Sequence, residues 1–257
     1  DEGEKIPDHG RLLYRGINIK DIVEGFSSEG RFGFEETCYL LMFGDLPDEK
    51  AFTYFCDYLK EMRELPDGFT EDMILKAPSS NVMNKLARGV LALYSYDDNP
   101  DDISVGNVLR QCIQLIARMP VLAAYGYQAK SHYYDNKSLY LHMPDPRLST
   151  AENFLSMIRR DRKYTAIEAE LLDLALVLHA EHGGGNNSAF TTHVVTSSDT
   201  DTYSAIAAAI GSLKGPKHGG ANIKVCEMME EMKEKIGDWT DDDEVGAYLA
   251  RLLNREA

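Results

Sequence analysis

Apolar residues recur at helical spacing along most of the chain, separated by polar and charged ones. This pattern predicts helix after helix. Asn18 is placed to cap a helix that runs to Phe26. G-F-E-E-T-C-Y-L-L-M-F (Gly33 to Phe43) predicts the next, with Gly44 as its stop, and a third starts after Pro47 and covers Asp48 to Glu64. Val82, Leu86, Val90, Leu91 and Leu93 mark a helix over Asn81 to Tyr96. The long stretch Ser104 to Ala129 is helical in pattern but interrupted by Pro120, where a kink is expected. Further helices are predicted over Thr150 to Arg159, Tyr164 to Glu181, Ser188 to Ser198, Tyr203 to Leu213, Asn222 to Ile236 and Asp243 to Asn254.

Arg11 to Ile17 is the one good strand candidate. Gln128 to Leu148, rich in Tyr, Asn, Asp and Pro, reads as a long surface connection. Together these elements predict an all-α fold with minor β structure near the N-terminus. Two of the helices, Ser104 to Ala129 and Tyr203 to Leu213, are apolar or small on several faces. Ala205, Ala207, Ala208, Ala209 and Gly211 allow close approach, so part of this surface is expected to bury against a second subunit.

Charge narrows the choice of partners. With 42 acidic against 27 basic residues the net charge is −15, which argues against nucleic acid and against an anionic membrane surface. Such a protein must concentrate positive charge locally to hold anionic substrates, so His and Arg near glycine-rich turns become the places to look. No apolar run is long enough to span a membrane and no secretory segment is evident. Cys38, Cys56, Cys112 and Cys226 form no C-x-x-C pair and read as small buried hydrophobes in a reducing compartment. The chain begins at Asp-Glu-Gly without a Met, which suggests a piece of a longer protein.

Two segments carry candidate chemistry. In H-A-E-H-G-G-G-N-N-S (His179 to Ser188), an apolar helix delivers two histidines into three glycines, and Asn186, Asn187 and Ser188 open the next helix. The open N–H groups of that helix start, beside a histidine, suit a carboxylate. In L-K-G-P-K-H-G-G-A-N (Leu213 to Asn222), His218 sits on a glycine-flanked loop with room for a ligand. Each histidine also has a plainer reading: His179 as a packed helix residue, His182 as part of a helix stop and His218 as a solvated turn residue. His179, His182 and His193 do not have zinc-site spacing, so no metal is expected. His9, His132 and His142 fall in polar loops and are expected to be solvated.

Taken together, these segments resemble the citrate synthase family, which includes 2-methylcitrate synthases. L-L-Y-R-G-I-N-I-K-D-I-V (Leu12 to Val23), Gly33 to Pro47, R-M-P-V-L-A-A-Y (Arg118 to Tyr125) and the two histidine segments follow its pattern in order from about residue 11 onward. The resemblance implies a homodimeric cytoplasmic enzyme of the tricarboxylic acid cycle that condenses acetyl-CoA with oxaloacetate to citrate and CoA. It implies no metal and no cofactor beyond the CoA thioester, itself a substrate. It makes His182 the histidine that hydrogen-bonds oxaloacetate, Asn186 its support, His218 the catalytic histidine that stabilises the enol of acetyl-CoA, and Ser188 a hydroxyl that orients His218. The larger helical domain is expected over 1–218, incomplete, and the first helices of a smaller domain over 219–257. The family's second catalytic histidine, in a G-x-G-H-x-x-Y loop, and its later aspartate have no match in these residues. The chain is therefore expected to be a C-terminally truncated portion, inactive alone. A 2-methylcitrate synthase acting on propionyl-CoA and a non-catalytic dimeric helical scaffold are the competing expectations.

Overall fold

The apolar stretch centred on Pro120 becomes the longest helix among the described residues. In the computed structural model, which describes residues 9–254, it forms a single helix, α5 (Val105–Asp135), continuous through Pro120 and ended by Asn136 at φ 53°. Around it in chain order lie α1 (Ile19–Ser28), α2 (Phe34–Phe43), α3 (Glu49–Glu61), α4 (Val82–Leu93), α6 (Thr150–Ile158), α7 (Ala166–His179), α8 (Asn187–Thr196) and α9 (Thr202–Leu213). Two more, α10 (Ala221–Lys235) and α11 (Asp242–Leu253), complete an all-α fold. The chain divides into two compact units, the first ending at Gly211 and the second starting at Ser212. Residue 218, where the sequence placed the end of the larger domain, lies inside the second unit.

Local signals set the helix starts. Asn18, Asp48 and Asn81 accept backbone N–H bonds from Lys20, Ala51 and Asn84 at 3.0, 2.7 and 2.9 Å. Ser149 with Glu152, and Thr165 with Glu168, form reciprocal capping boxes at α6 and α7. The core of the first unit gathers Val90 and Leu93 of α4, Leu115, Val121, Leu122 and Tyr125 of α5, Met157 of α6 and Tyr203 of α9. Gly89 lets α4 and α5 approach, since a Cβ there would lie 3.2 Å from Leu122. Asp97 ties α5 to α9, accepting from Arg110 at 2.7 Å, Gln111 at 3.0 Å and Tyr203 at 2.6 Å. Burial alone would raise its pKa, but these bonds bring it down to about 2. In the second unit Met232, Ile236 and Tyr248 form a small core of their own.

Four expectations need correction. Arg11 to Ile17 is not one strand but a tight antiparallel ribbon, β1 (Leu13–Tyr14) with β2 (Ile17–Asn18), paired Leu13 to Asn18 and Tyr14 to Ile17. Arg15 and Gly16 turn it with φ of 49° and 89°, the double positive φ that suits the twist of a two-residue hairpin. The connection from Gln128 begins as the last turns of α5, where Gln128 and Ser131 are buried and Gln128 bonds the carbonyls at the end of α6. His132 and His142, expected in solvent, are half-buried and each bonds a backbone carbonyl, of Lys137 at 2.8 Å and Arg160 at 3.1 Å. Of the cysteines, only Cys38 is buried; Cys226 is exposed on α10. Burial pushes the Cys38 thiol up and that of half-buried Cys56 up to about 11.

The apolar faces of α4 and α5 serve mainly this core. Exposed apolar side chains occur on several helices, among them α7 and α8, where Ile167, Leu171, Phe190 and Val194 are all more than half exposed and α8 has no buried residue. Among the described residues, no helix is long and apolar enough to cross a membrane.

Candidate active site

The site residues of the first unit stand where α7 ends, and contacts from distant parts of the chain fix that end. Tyr14 of the ribbon, fully buried, donates its hydroxyl to the Val177 carbonyl at 2.7 Å and accepts from the Glu181 N–H at 3.3 Å. The Val177 carbonyl, which also accepts the Ala180 N–H at 3.2 Å, thus ties the end of α7 to the ribbon, and the same hydroxyl holds Glu181 just beyond it. Asp173, one turn further back on α7, accepts from the N–H groups of Gly33 at 2.6 Å and Phe34 at 3.3 Å. This carboxylate caps α2, whose start has no side-chain cap of its own. At 1% exposure its burial pushes its pKa up to about 6, although the two N–H bonds oppose the shift. His179 is spent locally: its Nδ1 lies 2.7 Å from the Ala175 carbonyl.

The chain then turns at Gly183, with φ at 104°, where the Gly183 N–H meets the Glu181 carboxylate. A Cβ added at Gly184 or Gly185 would touch nothing within 4 Å, so packing inside the chain does not require glycine there. What the glycines leave is open approach to the backbone beside His182.

The structure brings His182 and Asn186 together. Nδ2 of Asn186 lies 2.6 Å from Nε2 of His182. The amide oxygen of Asn186 is already committed, accepting from the N–H of Ser188 at 2.8 Å and of Ala189 at 3.2 Å as the cap of α8. The NH₂ group must therefore face the imidazole and donate to it. Nε2 accepts, and the neutral ring carries its proton on Nδ1. His182 is exposed, so this Nδ1–H is a donor of fixed identity that faces solvent.

The start of α8 differs from the expectation in one respect. Its Ser188 and Ala189 N–H groups are occupied by Asn186, so they are not open to a carboxylate. Ser188 is half-buried on the first turn of α8.

His218 belongs to the second unit. It is half-buried on the turn between α9 and α10, where its N–H donates to the Gly215 carbonyl at 3.0 Å and that of Gly219 to the same carbonyl at 2.9 Å. The turn is tight: a Cβ at Gly219 would collide with the Leu213 carbonyl, and one at Gly220 with the Pro216 carbonyl. The glycines that flank His218 are thus demanded by the backbone, unlike Gly184 and Gly185.

Tyr14 and Asp173 are the positioning residues that the sequence did not disclose, although Tyr14 lies within a segment that carries the family resemblance. An apolar cleft of about 530 Å³ between α5, α6 and α7, lined by Met119, Phe154, Leu172 and Leu176, contains none of the expected site residues. Among the described residues no group of three His, Cys, Asp or Glu side chains could hold a metal ion.

A family model described as citrate synthase, C-terminal domain, matches residues 2–257. A citrate synthase of Haloferax volcanii is 36% identical over 239 residues, covering 91% of this chain and 59% of that protein. The 2-methylcitrate synthase 1 of Corynebacterium glutamicum is 32% identical, over 91% of this chain and 60% of its own. The crystal structure of citrate synthase from Pyrobaculum aerophilum superposes with a TM-score of 0.73 at 32% identity, covering 84% of this chain and 52% of that one. The chain thus spans between about half and three-fifths of the length of these relatives.

Proposed function

The chain belongs to the citrate synthase family, and from that premise we propose that its protein condenses acetyl-CoA with oxaloacetate to give citrate and CoA. The observation that carries the reading is the 2.6 Å contact between Asn186 and His182. It gives His182 one donor, Nδ1–H, for an oxygen of oxaloacetate, beside a glycine turn that leaves room for the ligand. His218 is the catalytic imidazole at the thioester. The acetyl methyl is a very weak acid, so proton removal needs a donor at the thioester oxygen as the enol forms. His218 supplies that donor. The carbon of the enol then attacks the oxaloacetate ketone, and hydrolysis of the thioester releases CoA. The carbon base and the proton donor to the ketone are implied by the family and have no motif match in residues 1–257.

No metal or cofactor takes part in this scheme. The larger helical domain gives way to the smaller near residue 218, a few residues past the start of the second compact unit at Ser212. The protein acts as a homodimer in the cytoplasm. The exposed apolar side chains of α7 and α8 support the pairing, because a two-fold axis would bury the same patch twice.

Propionyl-CoA is the second substrate reading, favoured by the similarity to a 2-methylcitrate synthase. One methylene is worth only about 1–3 kcal/mol in discrimination. Measuring kcat/KM of the complete enzyme for acetyl-CoA and propionyl-CoA, each with oxaloacetate, tests both readings. A preference for acetyl-CoA supports the first, a preference for propionyl-CoA the second, and CoA release from neither substrate overturns both.

A further inference from the structure

Where α5 ends, the turn that brings the Lys137 N–H to the Ser131 carbonyl, at 3.0 Å, opens beside a cleft of about 340 Å³. Ser131 lines this cleft at 3% exposure, and its hydroxyl has no hydrogen-bond partner in the chain. A helical serine commonly returns its hydroxyl to the carbonyl four residues back; this one does not. A buried hydroxyl without a partner is destabilising, so such groups call for an explanation.

The rest of the lining points to an anion. Lys137 and Arg160 both face the cleft, and no carboxylate lines it. Neither cation has an ion-pair partner among the described residues, in a chain with 42 acidic side chains. Arg160 instead lies over the ring of Tyr140, 5.3 Å from its centre. Gln128 donates its amide to the Ile158 carbonyl at 2.9 Å and so stiffens one wall. Tyr127 and Tyr140 add two rings and two hydroxyls.

We propose that this cleft binds a phosphate group, free or carried on a nucleoside, with Lys137 and Arg160 as its cations and the Ser131 hydroxyl as a donor. Phosphate suits the lining better than a single carboxylate, because its oxygens accept from several directions at once. The cleft holds more than one small ion, and beside the Arg160-covered ring of Tyr140 the ring of Tyr127 can stack on a planar base.

Titration calorimetry of the protein with inorganic phosphate and with adenosine monophosphate, in a low-salt buffer free of phosphate, tests the inference. At least one probe should bind saturably. Tighter binding of the nucleotide assigns the rings to a base; equal or tighter binding of inorganic phosphate assigns the site to the free ion. The double variant Lys137→Met, Arg160→Gln should weaken that binding at least tenfold, and Ser131→Ala about threefold to tenfold. Circular dichroism checks that each variant is folded. Saturable binding of neither probe, or binding by the folded double variant within twofold of the unaltered protein, would overturn the proposal.

Discussion

Asn186 donates its side-chain amide to Nε2 of His182 across 2.6 Å while its oxygen caps α8. One residue thus sets both a helix start and the tautomer of a histidine. The two tasks separate in Asn186→Ser: serine is as good a cap, so the thermal midpoint should hold within a few degrees. Oxaloacetate affinity should fall roughly threefold to tenfold, the worth of one hydrogen bond of about 0.5–1.5 kcal/mol. His182→Ala should weaken binding further. Calorimetry showing unchanged oxaloacetate affinity in both variants would remove His182 from the site.

His218→Ala should cut turnover by about 10²–10⁴ in the complete enzyme, the usual worth of a positioned acid–base group. Oxaloacetate affinity should change little, because this histidine is assigned to the thioester. A loss of turnover below tenfold would remove His218 from the chemistry.

The two glycine segments should answer differently to alanine. Gly220→Ala places a methyl against the Pro216 carbonyl and should cost about 1–3 kcal/mol of stability. Gly184→Ala meets nothing in the chain and should stay within about 0.5 kcal/mol. Urea midpoints of the two variants decide; equal losses would contradict the turn geometry around His218.

Asp173 gives stability a pH dependence of opposite sign to the usual carboxylate. Its folded pKa, pushed up by burial to about 6, exceeds the unfolded value of 3.8. The folded state holds the proton longer, so the favourable contribution is complete below about pH 4 and is lost as pH rises towards 6. The difference in unfolding free energy between the parent protein and Asp173→Asn should shift by roughly 2–3 kcal/mol against the parent over that window. A difference independent of pH would show that Asp173 is charged throughout.

Much of this was open to reading because the signals are local. Caps such as Asn18, Asp48 and the Ser149–Glu152 box need only the neighbouring residues, and those helices start where expected. The last turns of α5 were hidden by polar composition: Gln128 is buried yet bonded to the end of α6, which no window of sequence reveals. The turn at Arg15 and Gly16 lacks the Asn-Gly or Asp-Gly signal, so the ribbon read as one strand. The sequence reserves part of the apolar surface of α5 and α9 for a second subunit, but hydrophobicity does not say which neighbour a face will meet. At the site, the four-residue spacing of His182 and Asn186 was visible in the sequence, whereas the commitment of the Asn186 oxygen to two N–H groups was not.

The hydrogen bond from Tyr14 to the Val177 carbonyl joins residues 163 positions apart. Bonds of such separation close late, because the loop entropy must be overcome before the contact can form. The ribbon leaves the ribosome well before α7 and must wait for most of the first unit before it has a helix end to hold. Until it docks, the last turn of α7 has open carbonyls and the histidine turn beyond it has no fixed base. Competence to bind oxaloacetate should therefore appear in refolding after most helical signal has returned, with a rate that Tyr14→Phe slows. The order in which the chain is made and the order in which its site becomes usable run in opposite directions.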